Sequence, residues 1–144
     1  MLAVPWSAAL ETLPLVADDG VVLVDVTNPF EPQRSRSGAE ELQAAAPQAR
    51  VVKAWDHLYS QVIRRGIFDG AGATVFVAGD DAGAKELVAG LVRDAGFEPA
   101  DAGPLASARF LEPLAALMTT LDLARGEENP ILAPPSRISP SSGR

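Results

Sequence analysis

The side chains that could do chemistry are few, and their types exclude more than they offer. The 144 residues contain no cysteine, which removes disulfides, thiolate nucleophiles and zinc–thiolate centres. His57 is the single histidine. It reads more simply as an exposed residue in the first turn of a helix than as a general acid. Carboxylates occur as the adjacent pairs Asp18/Asp19, Asp80/Asp81 and Glu127/Glu128, whose side chains diverge, so a metal site is not expected. No nucleophile–base pattern emerges, and no catalytic side chain is assigned. Asn28, between Thr27 and Pro29, offers both a donor and an acceptor, but a turn residue before proline reads equally well.

Two glycine-containing stretches bear on phosphate binding. Gly70-Ala71-Gly72 resembles half of a dinucleotide fingerprint, yet it precedes a strand, and Val75 stands where the third glycine belongs. The Gly79-to-Gly83 stretch joins a strand to a helix, but Asp80 and Asp81 would repel phosphate. Asp81 reads instead as the helix cap.

The elements that must position any site follow from periodicity. Val21–Val26 is a continuous β-branched run, as in a strand covered on both faces. Arg50–Ala54, Thr74–Gly79 and the weaker Phe97–Ala102 predict three more strands, and Leu2–Trp6 reads as the last residues of another. Ser7 is read as capping a helix over Ala8–Ala17, with Leu10, Leu13 and Val16 inward and Pro14 late in it. Ser37 with Glu40 predicts a capping box and a helix to about Ala46. Trp55–Arg65 reads as a helix with Leu58, Tyr59 and Val62 inward, followed by a glycine-rich turn to Ala73. Asp81 opens a helix with Leu87, Val88, Leu91 and Val92 inward, ended by Gly96. Pro104 starts the longest helix, with Leu111, Leu114, Ala115, Met118 and Leu121 on one face. Strands alternating with such helices predict an α/β fold with a mainly parallel sheet, and ligands at the carboxyl ends of its strands.

The totals set the frame. Residues 1–124 fit one domain, and the Pro- and Ser-rich stretch 125–144 predicts a disordered tail. A net charge of −7 argues against a nucleic-acid or anionic-membrane surface. Met1–Val16 lacks the basic start and long apolar core of a signal peptide or membrane span, so the cytoplasm is the default expectation.

Several short motifs, in order, carry a resemblance. They are Leu2-Ala3-Val4-Pro5-Trp6, Val24-Asp25-Val26-Thr27-Asn28-Pro29, Ala49-Arg50-Val51-Val52-Lys53-Ala54, Val77-Ala78-Gly79-Asp80-Asp81 and Asp101-Ala102-Gly103-Pro104-Leu105, with Ala108-Arg109 and Leu111-Glu112-Pro113. Together they resemble the NADPH-dependent coenzyme F420 reductase family over residues 1 to about 123. The resemblance implies the C-terminal part of a Rossmann-type domain, without the first βαβ half and its Gly-x-Gly-x-x-Gly turn. It implies NADP and coenzyme F420 as cofactors. It places Pro5, Trp6, Thr27, Asn28 and Pro29 near the nicotinamide and its ribose, and makes Lys53, Ala54 and Trp55 a cofactor-contacting turn. Asp56 and His57 replace the family's neutral Asn-Thr pair, which puts a carboxylate where an anionic cofactor would object. Arg109 and Glu112 would face the substrate or a subunit contact, or lie on an ordinary solvated helix face.

An oxidoreductase passing hydride between NADP(H) and a deazaflavin is therefore the first expectation, with the chain truncated and inactive by itself. Without the phosphate loop, calorimetry is expected to detect no NADP binding to this chain. The alternative is a non-catalytic α/β module that self-associates, or completes its sheet with a partner chain, through an open edge at Leu2. A ligand-binding domain that uses only the remaining loops is a third reading.

Overall fold

The computed structural model describes residues 1–30, 34–58 and 73–125, and side chains only as far as residue 120. Four strands, β1 (Val22–Asp25), β2 (Arg50–Lys53), β3 (Thr74–Gly79) and β4 (Glu98–Gly103), form one sheet in the order β1-β2-β3-β4. The β1/β2 and β3/β4 pairs are parallel, as the strand–helix–strand spacing predicts. The β2/β3 pair is antiparallel, with Val52 opposite Gly79 and Lys53 opposite Ala78, so the sheet is mixed. The Leu2 run contributes a single parallel bridge to Asp25 rather than a strand reaching Trp6. Pro5, which has no N–H to donate, cuts it short.

Helices α1 (Trp6–Val16), α2 (Gly38–Ala45), α3 (Ala82–Asp94) and α4 (Ala108–Arg125) flank the sheet. Because strand side chains alternate, Leu23 and Val51 enter one core while Val24 and Val52 enter the other. The first core is closed by Ala9, Leu13, Leu42 and Leu105, the second by Ala84, Val88, Val92 and Phe97. Covering on both faces is what the unbroken Val runs demanded.

Several boundaries differ from expectation. Helix α1 starts at Trp6 with Pro5 as its N-cap, so Ser7 lies inside the helix and does not cap it. The buried residues of α1 are Ala9 and Leu13, followed by Ala17 just past its end, whereas Leu10 and Val16 are exposed. Small residues lie inward because α1 packs closely on α2. In α3 only Val88 and Val92 of the four predicted residues are buried, and Leu87 and Leu91 face out. The Ser37–Glu40 capping box is present, and Asp81 accepts from Ala84 N at 2.7 Å. Gly96, at φ 85°, ends α3 in the left-handed region that favours glycine. Pro104 leads into a short 3-10 turn, Leu105–Ser107, before α4 begins. Leu111, Ala115 and Met118 of α4 are buried, while Leu114 is exposed. Trp55–Leu58 is a turn rather than the start of a helix, and Trp55 itself has φ 57°. The expected remainder of that helix from Tyr59, the Gly70-Ala71-Gly72 stretch and the tail from residue 126 lie outside the described residues, as does the Leu121 side chain.

Candidate cofactor cleft

At the carboxyl ends of the Leu2 bridge and β1 lies a cleft of about 800 Å³, lined by Val4, Pro5, Trp6, Ser7, Leu10, Val26, Thr27, Asn28 and Phe30. Four of the eight predicted site residues, Pro5, Trp6, Thr27 and Asn28, share this lining. Pro29, Lys53, Ala54 and Trp55 are buried beneath or beside it. Asn28 is held by its Nδ2, which donates to the Asp56 carbonyl at 2.7 Å. That bond fixes which way the amide faces. Its Oδ1 is buried with no partner among the described residues.

The cleft rests on a buried charge network. Asp25 and Lys53 end adjacent parallel strands as register partners, and neither is exposed. Lys53 Nζ donates to Asp25 Oδ2 at 3.0 Å and to the Thr27 carbonyl, and lies 3.3 Å from Glu112 Oε1. The other Asp25 oxygen accepts from Thr27 N at 2.8 Å and Thr27 Oγ1 at 2.7 Å, which folds the Thr27-Asn28-Pro29 turn back on its strand. Burial alone would lower the Lys53 ammonium, but Asp25, Asp56 and Glu112 outweigh it and hold the group above the ordinary lysine range. For Glu112 the balance goes the other way. Burial raises its carboxyl more than Lys53 and two backbone N–H groups lower it.

Glu112 is therefore buried and not on a solvated helix face. It accepts from Gly38 N at 2.9 Å and Ala39 N at 3.2 Å, at the start of α2. Gly38 is small for a reason: a Cβ there would come within 3.0 Å of Pro29 and of the Trp6 ring. Arg34 sits over that same ring at 5.1 Å from its centroid. Arg109 is half-exposed and binds Glu40 through two hydrogen bonds of 2.8 and 2.6 Å. The Arg109 guanidinium, helped by Ser37, overcomes modest burial and lowers Glu40 to about 2.

Asp56 and His57 are also buried, which corrects the expectation of an exposed histidine. His57 Nδ1 lies 3.2 Å from Asp56 Oδ1, and Nε2 lies 3.0 Å from the Thr74 carbonyl. Both neighbours can accept, an arrangement that favours a ring carrying hydrogen on both nitrogens. Burial opposes this, but the Asp56 carboxylate and the Thr74 carbonyl prevail and raise the His57 pKa above its usual value. The Asp56 side chain is thus paired with His57 inside the protein and does not line the cleft.

Asp25 was not singled out from sequence, Asp56 was read only as a carboxylate opposing an anionic cofactor, and Glu112 as facing substrate, a subunit contact or solvent. A signal for the first was present: an aspartate inside a Val run and a lysine ending another run must be paired if the strands are buried.

Of the amino ends of α1, α2 and α3, that of α1 carries no side-chain cap and opens on the cleft, while the other two are occupied. The amino end of α2 is filled by Glu112 and the Ser37–Glu40 box. The amino end of α3 is filled by Asp81, while Asp80 accepts from Leu105 N at 2.9 Å. Among the described residues no group of three or more His, Asp or Glu could hold a metal, and no helix is long and apolar enough to cross a membrane.

This geometry has solved counterparts. A candidate F420-dependent NADP reductase from Arthrobacter sp. FB24 superposes with a TM-score of 0.79 at 30% identity, covering 88% of this chain and 64% of that one. The chain resembles the F420-dependent NADP reductases. A hypothetical protein from Sinorhizobium meliloti matches with a TM-score of 0.67 at 32% identity, covering 74% of this chain and 57% of its own. By sequence the chain is 40% identical to metalloreductase STEAP3 of Rattus norvegicus over 98 residues, 66% of this chain and 20% of that protein. Human metalloreductase STEAP2 is 32% identical over 103 residues, 71% of this chain and 21% of that protein. The chain thus spans about a fifth of the curated relatives' length. No family model matches it. The solved neighbour shares the Rossmann-like α/β fold of this chain, and the curated relatives are reductases by name.

Proposed function

We propose that this chain forms the nicotinamide side of a reductase that passes hydride between NADP(H) and a deazaflavin, coenzyme F420. The observation that carries the reading is the single cleft that gathers Pro5, Trp6, Thr27 and Asn28 at strand carboxyl ends, where such sheets bind ligands. Bound NADPH would supply the hydride, and the chain's part is to place the ring and exclude water. Trp6 gives the ring an aromatic wall. The unpartnered Asn28 Oδ1 would accept from a ribose hydroxyl or a carboxamide N–H. No protein nucleophile is required. The Arthrobacter protein's description supports F420 as the second substrate, and the metalloreductases support the reductase class alone.

Titration of the isotope-labelled chain with reduced nicotinamide mononucleotide tests the assignment. Only Trp6 and Trp55 give indole N–H resonances. The Trp6 signal is expected to shift with a Kd of roughly 1 mM, too weak for calorimetry, while buried Trp55 stays. NADPH is expected to bind no more than about tenfold tighter, because the amino ends of α2 and α3 are filled by side chains and only that of α1, at the cleft itself, is left for an anion. A motionless Trp6 resonance refutes the cleft, and micromolar NADPH binding refutes the phosphate argument.

A second reading, an α/β module that pairs through its sheet edge, is favoured by Leu2. Its N–H donates to the Val24 carbonyl of β1 at 2.7 Å and its carbonyl accepts from Val26 N, just past β1, at 3.2 Å, and no described strand pairs with its other side. Light scattering is expected to find an oligomer, and a clean monomer would set this edge contact aside.

A further inference from the structure

We infer that Glu112 is a positioning residue for the cleft, fixing the Thr27-Asn28-Pro29 turn through Lys53 and seating α2 against Pro29 and Trp6. This rests on the reading that the cleft holds the nicotinamide end of a cofactor. Lys53 has three N–H donors and three acceptors around it: Asp25 Oδ2, the Thr27 carbonyl and Glu112 Oε1. Withdrawing one acceptor leaves a donor unmet in a buried site, and the ammonium turns toward the other two. The Thr27 carbonyl then moves with it, and Asn28 is the next residue. Glu112 also binds the first two N–H groups of α2, where the helix dipole favours a carboxylate. Gly38, the donor of the shorter of those bonds, abuts both Pro29 and Trp6. Both walls of the cleft therefore depend on one carboxylate that does not line it.

Glu112→Gln keeps one contact and breaks the rest. The amide oxygen can still accept from Gly38, but the amide N–H groups then face both the Lys53 ammonium and Ala39 N, donor against donor. In the full chain without ligand, the Trp6 indole and Asn28 amide resonances are expected to move. Affinity for reduced nicotinamide mononucleotide is expected to fall roughly tenfold, as for a displaced binding group. Val88→Ala, in the core on the opposite face, is the control. It is expected to lower the melting temperature while leaving both resonances and the affinity unchanged. Unmoved resonances in Glu112→Gln, or equal movement in Val88→Ala, would overturn the assignment. If Glu112→Gln does not fold, Glu112→Asp keeps the charge with a shorter reach and is read in the same way. If the unaltered chain does not respond to the nucleotide, the cleft reading fails, while the ligand-free resonances still decide the role of Glu112.

Discussion

Lys53→Met is expected to lower the melting temperature by roughly 10–20 °C, the equivalent of about 3–5 kcal/mol for breaking a buried ion pair from one side. Methionine nearly matches the lysine stem, so little cavity forms and the loss is electrostatic. Asp25, fully buried, would keep Thr27 N and Oγ1 but lose its cation, and Glu112 would keep only the α2 N–H groups. The sign with pH follows. Glu112 already has a raised pKa in the folded chain, and removing Lys53 raises it further. A carboxyl whose folded pKa is raised disfavours folding at neutral pH, and that penalty fades as falling pH protonates it. The gap between the two melting curves should therefore narrow between about pH 7 and pH 4. Lys53→Met with Glu112→Gln should recover part of the loss, because the pair is coupled and the singles do not add. Equal melting curves for Lys53→Met and the unaltered chain would show that the buried network does not hold the fold.

How much of this was legible in the sequence depends on range. The capping box, the Asp81 cap and the Gly96 stop lie within a few residues of what they act on, and the local pattern identified each. The doubly covered sheet was legible for a similar reason, since an unbroken Val run leaves no face for water. The inversion of β3 was not. A Val-rich strand reads alike in either direction, and the helix expected between β2 and β3 implied a parallel crossover where the pair is antiparallel. Helix faces were partly misread where both residues of a pair are apolar. Leu87 and Val88 are adjacent, and periodicity alone admits either, but only the smaller packs against the sheet.

The cleft was legible only through resemblance, and resemblance gave positions without roles. It placed Lys53, Ala54 and Trp55 at a cofactor turn, whereas the fold buries all three and makes Lys53 the support of the turn beside it. Glu112 illustrates the general difficulty. Its partners Lys53 and Gly38 are remote in sequence, and nothing in Leu111-Glu112-Pro113 distinguishes a solvated helix carboxylate from a buried one. Long-range charge pairing appears only when the strands and helices are assembled.

The same reasoning makes His57 the second large effect. Its folded pKa is raised above the ordinary histidine value, so its contribution to stability is complete below about pH 6.5 and is lost as pH rises through the folded value. The melting temperature of the unaltered chain should decline on the alkaline side of that point. Asp56→Asn should reverse the slope. With the carboxylate gone, burial becomes the dominant influence on a ring beside Phe76, the neutral form is favoured, and stability is then lost as pH falls. His57→Ala is the blunter test. It strands the fully buried Asp56 side chain, one of whose oxygens has no partner among the described residues, at a cost of about 3–5 kcal/mol. Since the Asp56 carbonyl holds Asn28, both variants should also weaken the nucleotide-induced shift of Trp6. A melting curve flat from pH 6 to pH 9 in the unaltered chain would mean that the histidine is not the buried cation its two acceptors favour.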